Sequence, residues 1–277
     1  MKIPIPTIHL FPVLDELLLE ALRSLSPTDW AKPTIVPRWT IKAIAAHLLD
    51  GNLRSLSMLR DRYYGESPGP INSYQDLVDY LNRLNADWVQ AMQRISPALL
   101  IELLALTGKP YHAYLQSLDP FAKATFSVAW AGEQESANWF HIAREYTEKW
   151  HHQQQIRLAI GQEQALYRSD LYRPYLETSM RALPHHYRDV PAQEGDTLQV
   201  SVTGSGGGDW FLHYHQKHWQ LRDTAPTPPL CTITLDGSIA WRFFSKGISH
   251  AEARPYIQMV GRADLGEAIF GVLAVMG

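Results

Sequence analysis

Residues 141–155 read HIAREYTEKWHHQQQ, a run with helix-forming residues throughout and no glycine or proline. The sequence predicts one long helix here, from about Glu133 to Ile160, closed by Gly161 at a natural C′ position. At ~100° per residue, Glu148 and His152 fall about 40° apart and ~6 Å along the axis, so their side chains share a face. A carboxylate and an imidazole at i and i+4 form half of a divalent-metal site, with donors suited to Zn and also to Ni, Fe or Mn. His141, Arg144 and Gln155 lie within ~80° of the same stripe. Phe140, Leu158 and Ile156 make apolar shoulders beside it, and Gln153 and Arg157, on the opposite side, read as the solvent face. His151 also reaches Glu148, at i,i+3, but sits ~100° from His152, so spacing alone leaves the choice between the two histidines open. His141 is ~10.5 Å up the axis from Glu148, too far to share an ion with it.

A third ligand must come from another element. Upstream, IKAIAAHLLD (residues 41–50) predicts a helix opened by Thr40 as N-cap, with His47 on the shoulder of an apolar stripe made by Ile41, Ile44, Ala45 and Leu48. Arg54 and Met58 continue the line of His47. This helix is expected to run to about Tyr64. Other helices are expected at about 8–25, from Ser73 to Ile95, and as two short pieces at 98–106 and 110–118. After a bridge at residues 165–190, the pattern changes. TLQVSVT (197–203) alternates, residues 210–215 and 219–222 follow as strands, and CTITL (231–235) is a fourth. A helix from Gly237, a strand at 257–260 and an apolar helix from Leu265 to Met276 complete the chain. The expected architecture is an N-terminal helical bundle (1–190) followed by a small α+β domain (191–277).

Composition narrows the function classes. The 277 residues include 45% hydrophobic and 19% charged side chains, which excludes disordered and collagen-like chains. A net charge of −3 gives no cationic footprint for nucleic acid. The single cysteine, Cys231, reads as a buried strand residue; it excludes an internal disulfide and fits a reducing cytoplasm. The longest apolar run, Ala98 to Leu106, is broken by Glu102 and is too short to span a bilayer, and the N-terminus has no signal-peptide pattern. His213, His215 and His218 read as the polar face of a sheet.

WTIKAIAAHL (39–48) resembles the entry to the second helix of the DinB-like superfamily, and REYTEKWHHQQQIR (144–157) resembles its metal helix. The glutamate at the first ligand position is similar to the mycothiol-dependent maleylpyruvate isomerase branch. DGSIAWRFFSKG (236–247) and GRADLGEAIF (261–270) resemble the small sterol-carrier-like α/β domain of that branch. The resemblance implies a four-helix bundle holding a divalent metal, usually zinc, through His47, Glu148 and His152, which selects His152 over His151. It also implies an exogenous low-molecular-weight thiol, because the one cysteine is not available. A thiol at the open metal position would act on a small electrophilic substrate as an isomerase or S-transferase; water there would make a hydrolase, and a non-catalytic lipid-binding protein with a structural metal is the other alternative. Arg54, Arg144, His151, Gln155 and Arg222 are the candidates for supporting the ligands or binding the substrate. The expected state is a cytoplasmic monomer or homodimer.

Overall fold

The computed structural model describes residues 1–274. The chain divides into two compact units. The first comprises Met1–Thr125 and Glu145–Glu163, and the second comprises Phe126–Arg144 and everything from Gln164 on.

The first unit is helical. Pro12 sits in the first turn of α1 (Phe11–Arg23), where a missing N–H costs nothing, and Phe11, Leu14, Leu18 and Leu22 bury one stripe. Thr40 caps α2 (Ile41–Ser55), its hydroxyl accepting from Ala43 N at 3.3 Å. Beyond Ser55 the chain does not continue as α-helix to Tyr64: residues 56–60 form a π-helical turn. Ser73 and Asp76 make a reciprocal capping box that starts α3 (Tyr74–Met92). Residues 98–106 and 110–118 are not two helices but one, α4 (Pro97–Ser117), which runs straight through Pro110. An internal proline costs a hydrogen bond. The burial of Leu100, Leu104, Tyr111 and Leu115 along one continuous face keeps the helix whole. Gly108 on that face admits the Asp15 carboxylate, which would lie 2.6 Å from any Cβ placed there.

The fifth long helix, α5 (Asn138–Ala159), belongs to the second unit up to Arg144 and to the first from Glu145. Ile156 joins Leu18, Leu22, Ile44, Leu48, Leu100 and Leu104 in one core, so α1, α2, α4 and α5 share it. Trp88 fastens α3 to α2 through an indole hydrogen bond to Ala46 O at 2.8 Å. The expected solvent face of α5 is overturned. Gln153, Gln154 and Arg157 are buried, and Arg157 spends its guanidinium on Leu17 O at 2.8 Å while Gln154 reaches Glu163 O at 3.1 Å. Polar side chains that satisfy backbone carbonyls can line a helix that has no wet side.

The second unit carries α6 (Ser169–Met180), α7 (Leu183–His186) and a five-stranded sheet: β1 (Thr197–Val202), β2 (Gly208–His215), β3 (His218–Arg222), β4 (Cys231–Leu235) and β5 (Ile257–Gly261). The order is β3-β2-β1-β4-β5, with β1 and β4 parallel and the other pairs antiparallel. Gln216 and Lys217, both at positive φ, make the tight turn between β2 and β3. After β4, Asp236 caps α8 (Gly237–Phe244), which buries Ile239, Trp241, Phe243 and Phe244. α9 (His250–Ala253) leads into β5, and α10 (Ala263–Glu267) follows it. The helix expected to reach Met276 stops early: residues 268–271 are 3-10, and Val275 and Met276 lie outside the described residues. Cys231 is buried on its strand, and burial pushes its thiol pKa up.

The strands begin close to residue 190, yet the compact division does not fall there. Residues 164–190 belong to the second unit, where three tyrosines tie them to α8 and α10. Tyr172 Oη donates to Gly237 O at 2.7 Å, Tyr175 Oη to Trp241 O at 3.1 Å and Tyr187 Oη to Leu265 O at 2.9 Å. No helix among the described residues is long and apolar enough to cross a membrane.

Candidate metal centre

His47, Glu148 and His152 converge within the first unit. One donor atom from each lies within 4.8 Å of the others, and this is the only such group of histidine, cysteine and acidic side chains among the described residues. Two helices build it. α2 turns Ile41, Ile44, Ala45, Leu48 and Leu49 into the core and leaves His47 at the edge of that stripe. α5 delivers Glu148 and His152 from adjacent turns, with His152 Nε2 3.5 Å from Glu148 Oε2.

The orientation of His152 is set by its neighbour. Its Nδ1 lies 2.9 Å from Gln155 Oε1, so an N–H is donated there and Nε2 faces Glu148. That nitrogen and the carboxylate oxygen stand 3.5 Å apart, close enough to share one cation. His47 adds a second such signal: its Nδ1 is buried and has no hydrogen-bond partner. The imidazole rings of His47 and His152 meet edge to face at 4.6 Å.

Electrostatics favour the ligand form of two of the three side chains. Burial lowers the His47 pKa well below its ordinary value, and His152 and Arg54 lower it further, so the ring is neutral. Burial pushes the Glu148 carboxyl up, but the hydrogen bond with His152 and the electrostatic influence of the surrounding imidazoles of His151, His152 and His47 more than reverse this, and Glu148 stays ionised. One carboxylate and two imidazoles make a donor set that matches a divalent cation with a coordination position to spare.

The remaining candidates separate. His151 is buried beside the cluster, its ring 4.0 Å from that of His152, but its Nδ1 is committed to Thr147 O at 2.8 Å, and burial lowers its pKa to about 4. Gln155 holds the His152 ring through its Oε1. Arg54, about two turns along α2 from His47, forms an ion pair with Asp50 at 3.2 Å. Arg144 donates to His141 Nδ1 at 3.1 Å within the second unit. Arg222 ends β3, also in the second unit, and donates to the Gln220 side chain.

Two contributors escaped the sequence reading. Trp39, just ahead of the α2 cap, packs edge-on against His47 at 5.1 Å and stacks on His152 at 6.5 Å. Asp50 holds Arg54; the i,i+4 spacing of the pair was the available signal. Behind the ligands, Lys149 Nζ meets Asp15 Oδ1 at 2.6 Å and lies 5.2 Å over the Tyr111 ring, whose hydroxyl donates to Glu145 Oε2 at 2.7 Å. This network pins α5 to α1 and α4.

Comparison with protein families matches residues 12–157 to the mycothiol maleylpyruvate isomerase N-terminal domain, a span of more than half the chain that contains all three converging residues. Among solved structures, a mycothiol-dependent maleylpyruvate isomerase is similar, with a TM-score of 0.51 and 12% identity over 85% of this chain and 86% of that one. A histidine-to-alanine mutant described under the same enzyme name is also similar, with a TM-score of 0.52 and 11% identity over 91% of this chain and 90% of that one. At such identities the likeness is one of fold. No curated protein matches the chain by sequence.

Proposed function

This chain belongs to the mycothiol maleylpyruvate isomerase N-terminal domain family, and from that premise we propose that it is a divalent-metal-dependent enzyme that uses a small exogenous thiol on an electrophilic substrate. The observation that carries the proposal is the convergence of His47, Glu148 and His152, with one donor atom from each within 4.8 Å of the others. A divalent cation held there, zinc by the chemistry of the donors, supplies acidity to a thiol or water at its open position. The protein residues do the rest. Glu148 supplies the one negative charge, so a bound cation keeps net positive charge for an anionic nucleophile. Gln155 fixes the tautomer of His152. Trp39 walls one side of the two imidazoles.

The thiol has to come from outside, because the chain's one cysteine is buried on β4 in the second unit. Arg54 is the substrate-facing candidate. Its guanidinium makes one ion pair and, among the described residues, no hydrogen bond, which leaves a fork of N–H donors for a carboxylate. The enzymes named in the structural comparison set the first substrate to try.

The test has two arms. Purified protein is expected to hold close to one equivalent of a divalent metal by elemental analysis, and His47→Ala and His152→Ala are expected to lose it. Metal content indifferent to both substitutions overturns the site. The loaded protein is then given maleylpyruvate with and without mycothiol. Turnover that needs the thiol supports the reading, whereas thiol-independent hydrolysis of an ester or amide panel would replace it with a hydrolase.

A further inference from the structure

α4 carries a face that the bundle does not use. Its buried residues, Leu100, Leu104, Thr107, Gly108, Tyr111 and Leu115, occupy one side. On a helical wheel the opposite side runs through Ala98, Glu102, Ala105, Lys109 and Ala113, with Leu99 and Leu106 along its flank. Leu106 is 70% exposed and Leu99 41%. The stripe opens into a groove of about 660 Å³ whose walls include Arg23 from the end of α1. Leucines that face water on a helix whose other side is fully buried need an account.

The order of residues on that face supplies one. Ala105 and Leu106 stand at the middle. Counting outward from them, Glu102 is matched by Lys109 and Ala98 by Ala113. The face is therefore palindromic in size and complementary in charge about its midpoint. Glu102 and Lys109 form no ion pair or hydrogen bond among the described residues, although they lie on the same exposed stripe; at seven residues, ~10.5 Å of axis separates them, too far to pair with each other.

We propose that this face of α4 docks antiparallel on the same face of a second copy of the chain, about a two-fold axis between Ala105 and Leu106. Antiparallel packing brings Glu102 against the partner's Lys109 and Lys109 against the partner's Glu102, so that one sequence pattern makes two salt bridges. Alanines at both ends let the helices approach closely, and Leu106 covers the partner's Ala105. The contact runs about 22 Å, sixteen residues of helix. A single helix pair of that length falls toward the small end of specific interfaces, so the dimer forms and dissociates with concentration rather than being obligate.

Sedimentation equilibrium of the full chain over a wide concentration range tests this. A monomer–dimer equilibrium with a micromolar dissociation constant is expected. Glu102→Lys places like charges at both bridges and is expected to weaken the dimer at least about tenfold, with the melting temperature of the monomer unchanged. The double substitution Glu102→Lys with Lys109→Glu restores both bridges in reversed sense and is expected to restore the dimer. A chain that stays monomeric throughout overturns the proposal. So does a dimer indifferent to Glu102→Lys, which would use another face, or a double swap that fails to rescue the single one.

Discussion

α4 and α5 are neighbours of nearly equal length, and each inverts the ordinary rule for helices. α4 (Pro97–Ser117) is rich in leucine, yet Leu106 is 70% exposed. α5 (Asn138–Ala159) is rich in polar and charged residues, yet Gln153, Gln154, Arg157 and His151 are all buried. Burial follows what a side chain can be given as a partner, not its polarity alone. On α5 Gln154, Arg157 and His151 each reach a backbone carbonyl, and Lys149 reaches a carboxylate. On α4 the outer leucines find nothing in their own bundle.

The largest effect that would sharpen this contrast concerns the ligands. Glu148→Gln removes the only anion from the cluster and is expected to reduce zinc affinity by a factor of roughly a thousand or more, beyond the 10–100-fold typical of supporting residues. A competition titration with a chromogenic chelator measures it. Next comes the buried pair behind the site. Lys149→Met leaves Asp15 with an unpaired charge whose side chain is only 20% exposed, and unfolding in urea is expected to show a loss of about 3 kcal/mol. If stability is unchanged, the polar interior of α5 is not held by its ion pairs. Gln155→Leu keeps the ligands but frees the His152 ring, with an expected 10–100-fold loss of metal affinity and little change in stability of the metal-free chain. The smallest effect belongs to α4. Leu106→Gln is expected to change monomer stability by less than about 0.5 kcal/mol, because so little of the side chain is buried. A loss of 2 kcal/mol or more would mean that the leucine belongs to the core after all, and the contrast between the helices would collapse.

The same two helices show what could be read from the sequence. Starts were legible where a side chain caps them, as at Thr40 and Ser73, and β1 and β4 were legible from strict alternation. The break read at Thr107-Gly108-Lys109-Pro110 was local chemistry outvoted by a continuous buried face on α4. The supposed solvent face of α5 failed because a helical wheel assumes one wet side, and Arg157 instead reaches Leu17, 140 positions away in sequence. The proximity of Glu148 to His152 is a property of helix geometry and needed no tertiary information. His47 was read from its place on the shoulder of an apolar helical stripe, with the resemblance added to that reading, and the structure places its donor within 4.8 Å of theirs. Trp39 became visible only once the fold had brought it against His47 and His152, whereas the Asp50–Arg54 pair was a matter of i,i+4 spacing and was open to the sequence.

Trp39 has one more consequence. Its indole is 5.1 Å from one imidazole of the cluster and 6.5 Å from the other, nearly parallel to the second. An excited state that close shares the fate of whatever the imidazoles hold. Cobalt(II) or copper(II), with open d-shells, drains it, and zinc(II), with a closed shell, does not. The difference in emission between the protein and its Trp39→Phe variant is therefore a built-in optical gauge of which ion occupies the site, readable in seconds and without any substrate.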